Sequence, residues 1–259
     1  MKQVNFIDYE KVKEENKELK IILNKLSHEM GNALTLLGAS IYFVEANITK
    51  TNKKCPINEL KNDYTYICNL FKELREYNQT DNINKKEITI GEINSCIESS
   101  YKKLQINKAI RFDVIIEGDI LSKKIFGDIV MLKQVFINVI KNAIEAVEEN
   151  DVREGMKINV RISVSDNLIL KEKEMCFVEG KGVEEIVHIE IADNGKGILL
   201  ENMDNIFLPM FTAGKKDGTG WGLFIVKRII EMHEGKVKAV SDQRTGTAIH
   251  ICLPILNLL

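Results

Sequence analysis

Between Leu19 and Val44 the apolar residues Leu19, Leu23, Leu26, Met30, Leu34, Leu37, Ile41 and Val44 recur in steps of three and four. That spacing lays one apolar stripe along a single long helix and does not fit a strand, whose side chains alternate with a period of two. A polar stretch from Asn47 to Cys55 interrupts the pattern. Pro56 then opens a second helix, where its missing N–H is no loss. This helix carries Leu60, Tyr64, Ile67, Phe71, Leu74 and Asn78, with Tyr77 beside the last, again spaced by threes and fours. Two helices with a short connection form an antiparallel hairpin. Each stripe is nearly of heptad type, so one hairpin leaves apolar surface uncovered. A second copy of the chain would cover it by completing a four-helix bundle, so a homodimer is expected.

The polar, aperiodic run from Asn78 to Lys86 reads as a linker. It divides a hairpin domain at residues 1–80 from a second domain at 81–259. In the second domain Lys86–Ile90 alternates like a strand and Glu92–Gln105 is helical. Ile110–Ile116 is β-rich, and Asp128–Glu149 is a strongly periodic helix. Lys157–Ser165 and Glu185–Asp193 alternate as strands, with a polar insertion between them. Loops run from Asn194 to Thr219, a helix covers Gly220–Met232, and Lys236–Ser241 and Thr247–Leu253 close the chain as strands. Strands and helices mix without regular βαβ repetition. The expected fold class is therefore α+β, a helical hairpin followed by an α/β sandwich with a mixed sheet and helices on one face.

Composition removes several classes of function. With 44% hydrophobic and 29% charged residues and a net charge of −2, nothing pulls the chain toward nucleic acid or an anionic membrane. No run of about 18 apolar residues is present, so no insertion into a membrane is expected. The five cysteines are scattered and form no CxxC pair, which argues against a zinc site or a disulfide framework. Reduced thiols and the lack of a signal-type leader fit a cytoplasmic protein. Residues 1–18 read as the start of the first helix, so no sensor domain is expected within the chain: either a separate sensor protein brings the signal or the chain is an excised fragment.

Four places carry chemistry. His28 lies two residues from both Leu26 and Met30, so on a helix it points away from the stripe. Glu29 is its neighbour, and Asn32 shares its face four residues on. On the helix at Asp128–Glu149, Leu132, Phe136, Ile140, Ala143 and Val147 form one side, widened by Val135, Val139 and Ala146. Gln134, Asn138, Asn142 and Glu145 form another, with Lys141 beside them. A solvated face usually carries more charge and fewer amides than this one. Asp193-Asn194-Gly195-Lys196-Gly197 follows a strand, with a carboxylate that can accept an adenine amino N–H and glycines that admit a flat ligand. Gly218-Thr219-Gly220-Trp221-Gly222 leads into a helix, whose first amides can receive phosphate oxygens.

Leu26-Ser27-His28-Glu29-Met30-Gly31-Asn32 resembles the H-box of the sensor histidine kinases. The stretch from Gln134 to Val147 resembles the N-box of that family. Asp193 to Gly197 resembles its first glycine box, Ile206 to Phe211 its F-box with Phe207, and Gly218 to Gly222 its second glycine box. These five motifs stand in the family's order, and the resemblance runs from about Leu19 to Pro254. It implies a dimeric hairpin followed by a GHKL-type ATP-binding domain. It further implies that His28 takes the γ-phosphoryl group of ATP and passes it to an aspartate in the receiver domain of a response regulator, with some capacity to dephosphorylate that partner. By resemblance Glu29 orients the imidazole and Asn32 places water for the dephosphorylation. Asn142 holds Mg²⁺, Asn138 and Lys141 lie near the phosphates, and Asp193 reads the adenine. Thr212–Asp217 is a lid, mobile without nucleotide, with Lys215 and Lys216 turned to the phosphates. The chain departs from the family at Gly31, where a basic residue is usual, at Ala33, where proline is usual, and at Trp221, where leucine is commoner.

Three other readings stand beside this one. A gyrase-type or mismatch-repair-type ATPase would carry a glutamate where Asn138 stands, because an amide cannot act as the base that activates water. A serine or threonine kinase of the anti-sigma type would need neither the hairpin nor His28. A degenerate kinase that only docks a regulator would bind nucleotide without becoming labelled.

Overall fold

The computed structural model describes residues 18, 19, 21, 22, 25, 26, 29, 30, 32, 33, 35–43, 66, 67, 83–104, 109–149, 155–166, 185–212 and 219–256. The chain divides into two compact units, Met1–Asn78 with Pro209–Trp221, and Gln79–Leu208 with Gly222–Leu259.

In the first unit every described residue before Asn78 is helical. The buried side chains differ from the expected stripe. Ile22 and Ala33, which lie outside it, are buried, whereas Leu19 and Ile41, at its ends, are exposed. Leu26, Met30 and Leu37 are half-buried. The side turned inward within the chain is thus offset from the apolar stripe, and Ala33 is small enough to allow close approach of another helix. Leu19, Leu36, Ile41, Tyr42 and Phe43 are exposed in the single chain, on more than one side of the helix.

The second unit is α+β. A five-stranded sheet has the order β2 (Arg111–Ile116), β4 (Lys157–Asp166), β5 (Glu185–Asp193), β7 (Gly246–Pro254) and β6 (Lys236–Asp242). Only the β2–β4 pair is parallel, so the sheet is mixed. A separate ribbon joins β1 (Lys86–Thr89) antiparallel to β3 (Lys124–Gly127). The strand β3 was not expected: Lys-Ile-Phe-Gly is too short to show a period, and its pairing lies far away in sequence. Helices α1 (Ile90–Leu104) and α3 (Gly222–Met232) pack on either side of α2 (Ile129–Glu148), which also packs on β5. Helix α3 starts two residues later than expected, and the loop before it contains a short 3₁₀ helix at Leu200–Asn205.

Local chemistry explains the helix starts. The Asp128 carboxylate accepts the N–H groups of Val130 at 2.9 Å and Met131 at 3.3 Å, capping α2. Thr89 and Glu92 form a reciprocal box at the start of α1. Glu92 Oε2 accepts the Thr89 N–H at 2.8 Å, and Thr89 Oγ1 accepts the Glu92 N–H at 3.1 Å.

The strand register builds the core in rows. Val114, Val160, Ile191, Ile249 and Ala239 lie side by side across the sheet, followed by Ile116, Ile162, Ile189, Ile251 and Val237. Most of these side chains are buried, together with Leu132, Val135, Phe136, Val139, Ile140, Ala143 and Val147 of α2. On the opposite face the register aligns Arg161, Glu190, His250 and Lys238. Arg161 bridges Glu117 at 3.0 Å and Glu190 at 3.5 Å. The mixed polarity of the two faces is normal for a sheet with helices on one side.

His233 ties α3 to the cap of α2. Its Nε2 accepts the Asp128 N–H at 2.8 Å, and its Nδ1 donates to the Ile229 carbonyl at 2.7 Å. Only a neutral ring can make both bonds. Burial, the largest cause, holds its pKa below the ordinary 6.5; the Ile229 carbonyl opposes it, Lys85 adds a smaller push downward, and Asp128 a smaller pull upward. Burial is also the first cause that lowers His188 and His250. Above pH 6.5 both folded and unfolded chains carry neutral rings. As pH falls through 6.5 the unfolded chain takes up protons first, so stability is lost until the folded pKa values are reached. Urea unfolding is expected to give a midpoint that is steady above neutral pH and declines as the pH drops below 6.5. His233→Gln should flatten part of that slope.

Candidate functional site

The amide row of α2 is the centre of the site in the second unit. The apolar side of the helix is docked, so Asn138 and Asn142, one turn apart, share the adjoining side. Both are half-buried. The Asn138 Nδ2 atom is buried and has no hydrogen-bond partner among the described residues. An unpaired buried amide of this kind costs about 1–3 kcal/mol, so its persistence calls for an explanation such as a ligand acceptor. Gly222, the first residue of α3, stands beside it: a Cβ there would lie 3.8 Å from Asn138 Cγ. The first-turn N–H groups of α3 therefore come next to the Asn138 amide, and both are donors suited to an anion. Lys141 is exposed, with Nζ 3.8 Å from Glu145 one turn on.

The same side of α2 ends at Ala146, one turn beyond Asn142, and there the loop after β5 is seated. The Lys196 N–H donates to the Ala146 carbonyl at 3.2 Å. A Cβ on Gly195 would stand 2.5 Å from the Ala146 carbonyl carbon, so only glycine allows this approach. Gly197 has φ +69°, and a Cβ there would stand 2.5 Å from the Asp242 carbonyl oxygen. Asp193 closes β5. Its Oδ1 accepts the N–H groups of Gly195 at 2.8 Å and Thr247 at 3.3 Å, which fixes the carboxylate plane.

Asp193, Thr247 and Ser241 occupy the last row of the sheet, beside Phe112 and Ile158 on the helix-facing side. Ser241 Oγ accepts the Ile198 N–H at 2.8 Å, donates to the Gly246 carbonyl at 3.0 Å and lies 2.9 Å from Thr247 Oγ1. Sequence reasoning missed Ser241 and Thr247. The available signal was two hydroxyls at inward positions of alternating strands, where apolar residues are the rule. Phe207 is half-buried in the turn after the 3₁₀ helix.

Asn138, Asn142, Asp193, Gly195, Gly197 and Gly222 thus fall along one continuous path from α3 across α2 to the sheet end. Among the described residues no group of three or more His, Cys, Asp or Glu side chains is arranged to hold a metal ion.

In the first unit Glu29 and Asn32 lie on one helix. Glu29 Oε2 accepts the Tyr66 hydroxyl at 3.1 Å, a contact the sequence did not suggest. Gly220 has φ +75°, and a Cβ there would collide with the backbone at Met210. Trp221, the one tryptophan, is fully buried. His28, Lys215, Lys216 and Gly218 lie outside the described residues.

Residues 127–257 match the family described as histidine kinase-, DNA gyrase B-, and HSP90-like ATPase. Sporulation kinase D of Bacillus subtilis is 35% identical over 124 residues, which cover 48% of this chain and 20% of that protein. The autoinducer 2 sensor kinase/phosphatase LuxQ of Vibrio parahaemolyticus is 23% identical over 90% of this chain and 26% of its own length. The chain therefore spans about a fifth to a quarter of these two relatives. Among solved structures, histidine kinase ThkA in complex with response regulator protein TrrA has the same fold, with a TM-score of 0.66 and 22% identity, covering 98% of this chain and 68% of that one.

Gly195→Ala tests the seat of the β5 loop on α2. The added methyl meets backbone atoms that have no room to move. Urea unfolding should show a loss of about 1–3 kcal/mol, the usual range for overpacking. An unchanged midpoint would mean that the loop is not held against α2.

Proposed function

The chain belongs to the histidine kinase-, DNA gyrase B-, and HSP90-like ATPase family, and on that premise we propose that it is a protein histidine kinase of two-component signalling. It binds ATP, phosphorylates itself on His28 and passes the phosphoryl group to an aspartate in the receiver domain of a response regulator. The observation that carries this reading is the amide face of α2, above all the buried Asn138 Nδ2, which has no partner among the described residues and lies beside the start of α3. A neutral donor there suits phosphate oxygens, and an amide cannot serve as the base for hydrolysis. The printed names of the relatives, kinases and kinase/phosphatases, support it. The complex of ThkA with a response regulator supports the kind of partner.

In this reading the Asp193 carboxylate accepts the adenine amino N–H, held in plane by its bonds to Gly195 and Thr247. Asn138, the first amides of α3, Lys141 and Lys215 receive phosphate oxygens. Asn142 would hold Mg²⁺, which offsets phosphate charge when bound. His28 Nε2 attacks the γ-phosphorus in line. A nitrogen–phosphorus bond forms, the bond to the β,γ-bridging oxygen breaks, and ADP leaves. Glu29 accepts the other ring N–H and so keeps the lone pair on the attacking nitrogen. Asn32 would place water for dephosphorylation of the regulator. The exposed apolar side chains Leu19, Leu36, Ile41, Tyr42 and Phe43 support a homodimer built on the hairpin of residues 1–80, with the ATP-binding domain at 81–259.

The test is incubation with γ-labelled ATP and Mg²⁺. Label that is lost in acid, survives base and is absent from His28→Gln is the expected result. Acid-stable label would sink the reading in favour of a hydroxyl acceptor, and nucleotide binding with no label would favour a docking module. A second expectation concerns Asp193→Asn. It keeps an oxygen for the two backbone donors but loses acceptor character at the ligand side. Nucleotide affinity should fall at least about tenfold, as for loss of one charge-assisted bond, with the urea midpoint little changed. A large fall in stability with affinity retained would make Asp193 structural.

A further inference from the structure

We propose that Tyr66 is a positioning residue for phosphoryl transfer at His28, holding the Glu29 carboxylate in the orientation that receives the imidazole N–H. This rests on the histidine-kinase reading and deepens it. The Tyr66 hydroxyl donates to Glu29 Oε2 at 3.1 Å, across 37 residues of sequence and from one helical segment to another. Both side chains are half-buried, so the bond is shielded from competing water and is worth more than a surface contact.

The physical need is specific. Glu29 adjoins His28 in sequence, and successive side chains on a helix diverge by about 100°. A glutamate left to itself would spread over many rotamers, few of which bring its carboxylate back to the neighbouring ring. Tyrosine is the opposite kind of side chain. It has two main torsions and a rigid ring, and it can carry a hydroxyl to a fixed point at small entropic loss. One bond to Oε2 leaves a carboxylate, with about four acceptor sites, able to take the ring N–H as well. No proton needs to move between Tyr66 and Glu29: the hydroxyl keeps its hydrogen throughout, and the carboxylate stays anionic while the nitrogen–phosphorus bond forms. Tyr66 also stands outside the apolar run Leu60, Tyr64, Ile67, Phe71 and Leu74, so the stripe pattern gives no packing reason for a tyrosine there.

The experiment is a double-mutant cycle on the full chain, read by single-turnover formation of acid-labile label. Tyr66→Phe removes one oxygen and keeps the ring. It should slow labelling by roughly two- to tenfold, the effect of one hydrogen bond, with the KM for ATP and the dimer unchanged and only a small fall in Tm. Glu29→Ala, which leaves no acceptor for the Tyr66 hydroxyl, should slow labelling on its own account. In the Glu29→Ala background, Tyr66→Phe should cause no further loss, because its bond to Glu29 is already absent. A Tyr66→Phe protein that labels at the native rate overturns the role. So does a slowing of equal size in both backgrounds, which would mean that Tyr66 acts through the helices and not through Glu29. If Tyr66→Phe proves unstable, Tyr66→Trp, which keeps a large ring with a donor N–H in a different place, supplies the second arm: labelling equal to that of the native chain overturns the role, and slowing only when Glu29 is present supports it. A native chain that forms no acid-labile label overturns the kinase reading itself and this role with it. A labelled native chain beside an unaffected Tyr66→Phe overturns the role alone.

Discussion

Helix α2 has to satisfy two demands at once, and the rest of the second unit follows from how it does so. Its apolar side, with Leu132, Phe136, Val139, Ile140, Ala143 and Val147, is buried against the sheet and the flanking helices. Burial of each large apolar side chain stabilises by about 1.5–3 kcal/mol, so the rotation of α2 about its axis has no freedom left. The direction of Asn138 and Asn142 is then settled by the packing. The unpaired Asn138 amide costs about as much as one such side chain contributes, a small debit against the whole apolar face. A site with an unsatisfied donor can persist because the element that carries it is held by many contacts elsewhere.

The sheet supplies the second half of the same surface by the way it ends. Along the rows of the register, apolar residues give way at the last step to Asp193, Thr247 and Ser241. There the strands stop, Gly246 has φ +100°, and the loop from Asn194 to Gly197 turns toward α2. Asp193 binds to its own loop and to the neighbouring strand, so its carboxylate is fixed by backbone that is itself part of the ladder. Gly195 then joins this end to α2 at Ala146. The polar path is continuous because each of its parts is tied to a rigid element and not to another flexible side chain.

Much of this was readable from local pattern. The boundaries of β4, β5 and α2 follow from periods of two and 3.6, and the glycines with Asp193 declare themselves by spacing after a strand. What escaped was set by partners distant in sequence. Strand β3 is four residues long and exists because Ile88 and Ile125 meet across the ribbon. The inward roles of Ser241 and Thr247 depend on register, which a single strand does not encode. The buried side of the first helix is offset from its apolar stripe, with Ile22 and Ala33 inward and Leu19 and Ile41 outward, a rotation that the pattern of one helix does not encode. Tyr66 was invisible for a similar reason: its partner Glu29 lies 37 residues away, and neither residue belongs to a motif that predicts the other.

The identity of residue 138 decides what such a surface can do. A glutamate there would bring negative charge and a proton acceptor to the place where phosphate oxygens are expected, and water would be the natural nucleophile. An asparagine brings a neutral donor instead. It lowers the repulsion felt by a triphosphate and removes the base, so a bound nucleotide would be held without a means of activating water. A phosphoryl donor of that kind is useful only if the nucleophile arrives from elsewhere already activated. A histidine beside a fixed carboxylate answers that requirement, since a neutral imidazole needs its second N–H held and no proton removed before it attacks. On the kinase reading, then, the amide on α2 and the tyrosine–glutamate contact in the helical unit are two halves of one division of labour: one unit binds the nucleotide and withholds the base, and the other supplies a nucleophile that does not need one.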